Sequence, residues 1–205
     1  MKAACNTIYV DVTDTKGNPD MSMNLKLIEP EEATGTTKEV LEQQRAQIGF
    51  VPNMYKAMAN VPALLQTYLG GMAVFRKEST FSAVEQEVIF LIISRENGCD
   101  YCVAAHSTLA DTVSAVPRPV TEAIRSRTVI PDSKLESLSH FVQAMLSSRG
   151  NPSEQELERF LNASYSEKQI LEIVLAISIK TLSNYGNHLL KTPVDNAFAA
   201  RTWSD

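Results

Sequence analysis

Two cysteines three residues apart, Cys99 and Cys102, and a histidine four residues beyond the second, His106, lie within the stretch RENGCDYCVAAHSTLAD at 95–111. Residues three or four apart on a helix share a face, with β-carbons roughly 5–6 Å apart, so a small adjustment at a helix start brings two sulfurs within bonding distance. The pair can therefore close a reversible disulfide. His106, four residues after Cys102, lies over the same face as the thiol and can take its proton or stabilise the thiolate. A helix N-terminus also favours the anion through unpaired N–H groups and the dipole, and together such effects bring a cysteine pKa from about 8.5 into the range of roughly 3.5–7.5. On this reading Cys102 is the nucleophile, and Cys99, one turn earlier and nearer the loop, is the resolving thiol.

Other chemistries compete for the same residues. A zinc site could use Cys99, Cys102 and His106, but a structural site needs four protein ligands, and the chain has no second Cys-x-x-Cys or histidine pair. The cysteines could also be inert core residues beside a satisfied histidine, or a general redox pair without a specialised substrate. His140 and His188 have no neighbouring thiol or carboxylate pattern and read as structural.

The elements that must position this cluster read as helices separated by proline and glycine. Thr36 or Thr37 can cap a helix running to about Ile48, with Gly49 as its stop. A short helix follows between Pro52 and Asn60, and a longer one starts at Pro62, a residue well tolerated at the first helical position. Gly70 and Gly71 in that helix allow close packing or a kink. Ser82 and Glu85 form a capping box ahead of VIFLII at 88–93, a stretch apolar on every face, which predicts a central helix. Gly98 can end that helix in a left-handed cap, and a new helix begins near Cys99 or Asp100. Further helices are predicted over roughly 117–127, 131–148, 152–162 and 166–184, with capping boxes Ser153/Glu156 and Ser166/Gln169. No convincing alternating strand is found, so the predicted class is all-α. A shift of 84 residues lays SAVEQEVIFLIIS (82–94) over SEKQILEIVLAIS (166–178) and Tyr101 over Tyr185, which suggests a duplicated helix pair whose second copy carries Ser183 and Gly186 in place of the cysteines.

The chain has 205 residues and 44% hydrophobic composition, enough for one well-buried domain over residues 22–205. Residues 1–21 read as a leader or tail without helical periodicity, and no function is placed on them or on Cys5. With 19 basic against 24 acidic residues spread through the sequence, there is no electrostatic footprint for nucleic acid or an anionic membrane. The longest apolar run is far short of the roughly 20 residues that a spanning helix requires. Three cysteines with one local pair do not make a secreted disulfide framework, and a cytoplasmic setting is expected.

The segment EVIFLIISRENGCDYCVAAH resembles the core of the AhpD-like alkylhydroperoxidases, within the carboxymuconolactone decarboxylase-like superfamily. That family pairs Cys-x-x-Cys-x-x-x-His with a glutamate 15 positions before the second cysteine, and Glu87 meets that spacing to Cys102. The flanks IGFVPNMYKAMANVPALLQTYL and SNYGNHLLKTPVDNAF resemble its peroxidase-related branch, extending the likeness over roughly residues 22–203. The resemblance implies an AhpD-like helical bundle, homo-oligomerisation and a thiol that reduces organic or hydrogen peroxide. It also implies the roles: Cys102 attacks the peroxide, Cys99 resolves the intermediate, and His106 and Glu87 carry the proton relay. A separate dithiol, protein-borne or lipoyl-type, resets the site, and neither haem, flavin nor a metal is called for. The best-characterised branch has a second histidine directly before the nucleophile; here that position is Tyr101, whose phenol does not titrate near neutrality, implying a shorter relay and weaker peroxidase activity. Spacing alone does not bring Glu87 to Cys102, because a simple hairpin leaves the glutamate about 10 residues, or roughly 15 Å, below the turn. Alternatives to the peroxidase are a disulfide oxidoreductase without peroxide specificity and a non-catalytic helical assembly or metal-binding protein. Decarboxylation, despite the superfamily name, does not call for a vicinal thiol pair.

Overall fold

The computed structural model of the chain describes residue 23 and residues 25–204; the leader expected over 1–21, with Cys5, lies outside the described residues. Among the described residues the regular elements are all helical: α1 (Gly35–Ile48), α2 (Asn53–Met58), α3 (Pro62–Glu78), α4 (Ala83–Glu96), α5 (Asp100–Thr112), α6 (Arg118–Ser126), α7 (Ser133–Ser147), α8 (Glu154–Asn162) and α9 (Glu167–Leu190), followed by a 3-10 turn over Asn196–Arg201. None of these helices is long and apolar enough to cross a membrane.

The local signals explain the starts. The three capping boxes form as read: Ser82, Ser153 and Ser166 each accept the backbone N–H of the residue three ahead, and Glu85, Glu156 and Gln169 reach back to the cap. Each such cap contributes about 1 kcal/mol. Pro62 opens α3, and Gly49, at φ 85°, closes α1. The first helix differs from expectation. It begins at Gly35 after Thr34, whose side chain makes no capping bond, so neither Thr36 nor Thr37 is its cap.

Helix α4 is the axis of the molecule. Every residue from Glu85 to Arg95 is buried, and α5, α6, α7 and α9 all pack against it. This is the environment that a helix apolar on all sides requires. Its end is a Schellman cap: Gly98, at φ 65°, donates to Arg95 O at 3.1 Å, and Cys99 N donates to Ser94 O at 3.0 Å. The cap turns the chain sharply and leaves Cys99 as the residue from which α5 starts.

Of the two adjacent glycines in α3, only Gly71 marks a close approach. A β-carbon there would lie 3.0 Å from Ile179 Cγ1 of α9, whereas one on Gly70 would meet nothing within 4 Å. The duplicated helix pair is not reproduced. Where the first copy breaks at Gly98, the second runs on without a turn, and α9 extends to Leu190 with Lys191 as a left-handed cap. The predicted end near residue 184 falls short of this, because Gly186 lies inside the helix and has no positive φ. One face of α9 buries Ile173, Ala176, Lys180, Ser183, Asn184 and Asn187, and the opposite face exposes Leu171, Val174, Leu175, Tyr185 and Leu189.

Candidate active site

The predicted site residues are all buried, and α4, α5 and α9 bring them into one cluster. Cys99 and Cys102 are free thiols, 1% and 2% exposed. Asn187 on α9 binds the pair: its Nδ2 lies 3.3 Å from Cys102 Sγ and 3.9 Å from Cys99 Sγ.

His106 is placed otherwise than its spacing suggested. Its Nδ1 lies 2.6 Å from Glu87 Oε1 and its Nε2 lies 2.8 Å from Lys180 Nζ, so both ring nitrogens are taken by partners other than the thiol. The hairpin geometry gives the reason. Glu87, well below the α4–α5 turn, pairs with His106, one turn beyond Cys102, and not with Cys102 itself. Glu87 also accepts from Arg76 of α3 and from Ser114 Oγ at 3.3 Å. The Phe90 ring packs under this chain, 5.3 Å from the His106 ring and 4.9 Å from the Arg76 guanidinium.

The charges follow from these contacts. Burial works against the Glu87 carboxylate, but His106 and Arg76 outweigh it and hold its pKa down at about 2. Burial, and then the Lys180 charge, push the His106 imidazole below its ordinary value despite Glu87. A neutral imidazole then donates from Nδ1 to Glu87 and accepts at Nε2 from the Lys180 ammonium.

Lys180 is fully buried, and a buried ammonium needs an anion. Glu87 already faces Arg76, so the charge that balances Lys180 falls to Cys102. Burial opposes its ionisation, yet the hydrogen bond from Cys99, the charge of Lys180 and the Asn187 amide together hold the Cys102 thiol well below the usual thiol range. Its hydrogen bond to Cys102, along with burial, pushes the Cys99 thiol up. One sulfur is thus the anion and the other its hydrogen-bond donor.

Tyr101, where the resemblance implies a second histidine, makes its hydrogen bonds away from His106 and Glu87. Its hydroxyl donates to Asp195 Oδ2 at 2.5 Å, and the same carboxylate accepts from Asn53 N at the start of α2. Burial and Asp195 push its pKa up. Tyr101 ties the first turn of α5 to the segment after α9 and to α2.

Lys180 and Asn187 were missed in the sequence. Lys180 falls on the same helical stripe as Ile173 and Ala176, so a lysine on an apolar face was the available signal. Asn187 was hidden by the early end assigned to its helix. His140, read in the sequence as having no neighbouring carboxylate, pairs with Glu136 at 3.0 Å, and His188 lines a cleft beside Cys99.

A comparison with protein-family models matches residues 59–144 to the carboxymuconolactone decarboxylase family. A solved structure from Ralstonia eutropha JMP134, described as an alkylhydroperoxidase AhpD core and an uncharacterized peroxidase-related protein, superposes with a TM-score of 0.74 at 18% identity, covering 85% of this chain and 93% of that one. The chain has the AhpD-like helical fold, and its middle part matches the carboxymuconolactone decarboxylase family. A peroxidase-related protein from Silicibacter sp. TM1040 shares the AhpD-like fold with a TM-score of 0.75 at 20% identity, over 91% of this chain and 98% of that one. The debrominase Bmp8, as a cysteine-to-alanine variant in complex with 2,3,4-tribromopyrrole, does so with a TM-score of 0.71 at 20% identity, over 88% and 97%. At these identities the likeness is one of fold. No curated protein matches the sequence.

Proposed function

We propose that the protein is a thiol-dependent peroxidase that reduces organic or hydrogen peroxide through Cys102 and Cys99. The observation that carries this reading is the pairing of two free, buried sulfurs on one amide, Asn187, with the buried Lys180 as counter-charge. A thiolate held in this way attacks one peroxide oxygen; the O–O bond breaks, and the leaving oxygen takes a proton and departs as alcohol or water. Cys102 becomes a sulfenic acid. The Cys99 thiol then condenses with it, releasing water and forming the disulfide.

The relay reads differently from its sequence form. Glu87 fixes the His106 tautomer through Nδ1, and His106 holds Lys180 through Nε2. Lys180 stabilises the thiolate and supplies a proton to the leaving oxygen, so Glu87 and His106 act as positioning residues. A dithiol returns the disulfide to two thiols, and the protein works without nucleic acid or membrane. The exposed stripe Leu171, Val174, Leu175, Tyr185 and Leu189 supports a homo-oligomer.

The test is consumption of hydrogen peroxide and cumene hydroperoxide with dihydrolipoamide as reductant. Wild type turns over, Cys99→Ser reacts once and stops, and Cys102→Ser is inactive. Equal consumption by Cys102→Ser and wild type refutes the reading. Reduction of disulfides without any peroxide consumption favours the disulfide oxidoreductase instead.

A further inference from the structure

The two sulfurs are not equally placed to receive a reductant. A cleft of about 420 Å³ opens between the start of α5 and the segment that follows α9, lined by Cys99, Asn187, His188, Thr192 and Val194 among others. Cys102 takes no part in that lining. The Thr192 side chain in the cleft wall is only 8% exposed, and its Oγ1 has no hydrogen-bond partner among the described residues. A buried hydroxyl is rarely left unpaired, so Thr192 Oγ1, enclosed in the cleft wall, is a polar atom still open to a hydrogen bond.

We propose that this cleft is the docking site of the dithiol reductant, and that the reductant's thiolate attacks Cys99 Sγ with Cys102 Sγ as leaving group. The proposal rests on the peroxidase reading in taking the Cys99–Cys102 disulfide as the oxidised state. In the first step an S–S bond forms between reductant and Cys99, and the Cys99–Cys102 bond breaks with its electron pair on Cys102. Asn187 and Lys180 are already in place to receive that charge, and a stabilised thiolate leaves faster. In the second step the reductant's other thiol loses a proton to solvent and attacks its own sulfur in the mixed disulfide. Cys99 departs and takes up a proton. The reductant has lost two electrons and become a cyclic disulfide, and the site is again a Cys99 thiol beside a Cys102 thiolate. A dithiol entering this cleft meets Cys99, which lines it, and not Cys102.

The experiment uses the wild-type chain oxidised with diamide, so that it does not depend on peroxide chemistry. Glutathione, a monothiol that cannot complete the second step alone, is added with iodoacetamide to alkylate whichever cysteine is released. Peptide mass mapping then locates both groups. The expected result is glutathione on Cys99 and the alkyl group on Cys102, in at least about tenfold excess over the reverse. Glutathione on Cys102, an even split, or failure of diamide to join the two cysteines overturns the proposal. If glutathione maps to Cys99 but peroxide leaves both thiols free, the docking assignment stands and the peroxidase reading fails.

Discussion

The Glu87 carboxylate should make the protein's stability depend on acid in a way that one substitution removes. Its pKa is held at about 2, against 4.5 for an unperturbed glutamate. A carboxylate lowered on folding adds stability above its unfolded pKa and loses it as pH falls through the folded value. At 1.36 kcal/mol per pKa unit, this separation is worth about 3 kcal/mol near neutrality, of which about 2 kcal/mol disappears between about pH 6 and about pH 3. Glu87→Gln keeps the shape and can still contact Arg76, His106 and Ser114, but it does not titrate. Urea unfolding of both proteins across that range isolates the group, because the other carboxylates are common to both. The stability advantage of wild type over the variant should shrink by about 2 kcal/mol as pH falls. A difference that stays constant with pH would mean that Glu87 is not the ion-paired anchor described above.

Two further substitutions separate the roles of neighbouring groups. Lys180→Met should raise the apparent pKa of Cys102 and slow its alkylation by iodoacetamide near neutral pH by about tenfold, since an ordinary thiol is only a few per cent ionised there; an unchanged rate–pH profile contradicts the counter-charge role. Tyr101→Phe should cost about 1.5–3 kcal/mol in urea unfolding, the range for a hydrogen bond to a charged group, while leaving Cys102 alkylation unaltered. Loss of thiol reactivity in that variant would place Tyr101 in the relay after all. Sedimentation should find the protein larger than a monomer, and Leu171→Glu with Leu189→Glu should dissociate it if α9 forms the contact.

Most of the scaffold was legible because its signals are local. Ser82, Ser153 and Ser166 announce their helices with a residue three positions on, and Gly98 announces the turn that delivers Cys99 and Cys102. The Cys-x-x-Cys pair was visible for the same reason, as its geometry is contained in one helical turn. What stayed hidden depends on contacts between distant segments. His106 is four residues from Cys102, yet its hydrogen bonds go to residues 19 and 74 positions away. No local spacing distinguishes that arrangement from an imidazole resting on the thiol. Lys180 and Asn187 matter only because Gly71 lets α9 approach α3 closely and because α9 continues past Gly186. Tyr101 could be seen to break the histidine pattern, but its partner Asp195 lies 94 residues downstream.

The central assignment is that Cys102 and Cys99 form one oxidant-driven pair, and it is tested most directly by treating the reduced wild-type protein with one equivalent of hydrogen peroxide, alkylating it and mapping the peptides by mass. Loss of both free thiols together, with a Cys99–Cys102 cross-link as the product and a trapped sulfenic acid on Cys102 in the Cys99→Ser variant, is the predicted result. Both cysteines remaining alkylatable, or the sulfenic acid appearing on Cys99 in the Cys102→Ser variant at an undiminished rate, would contradict it.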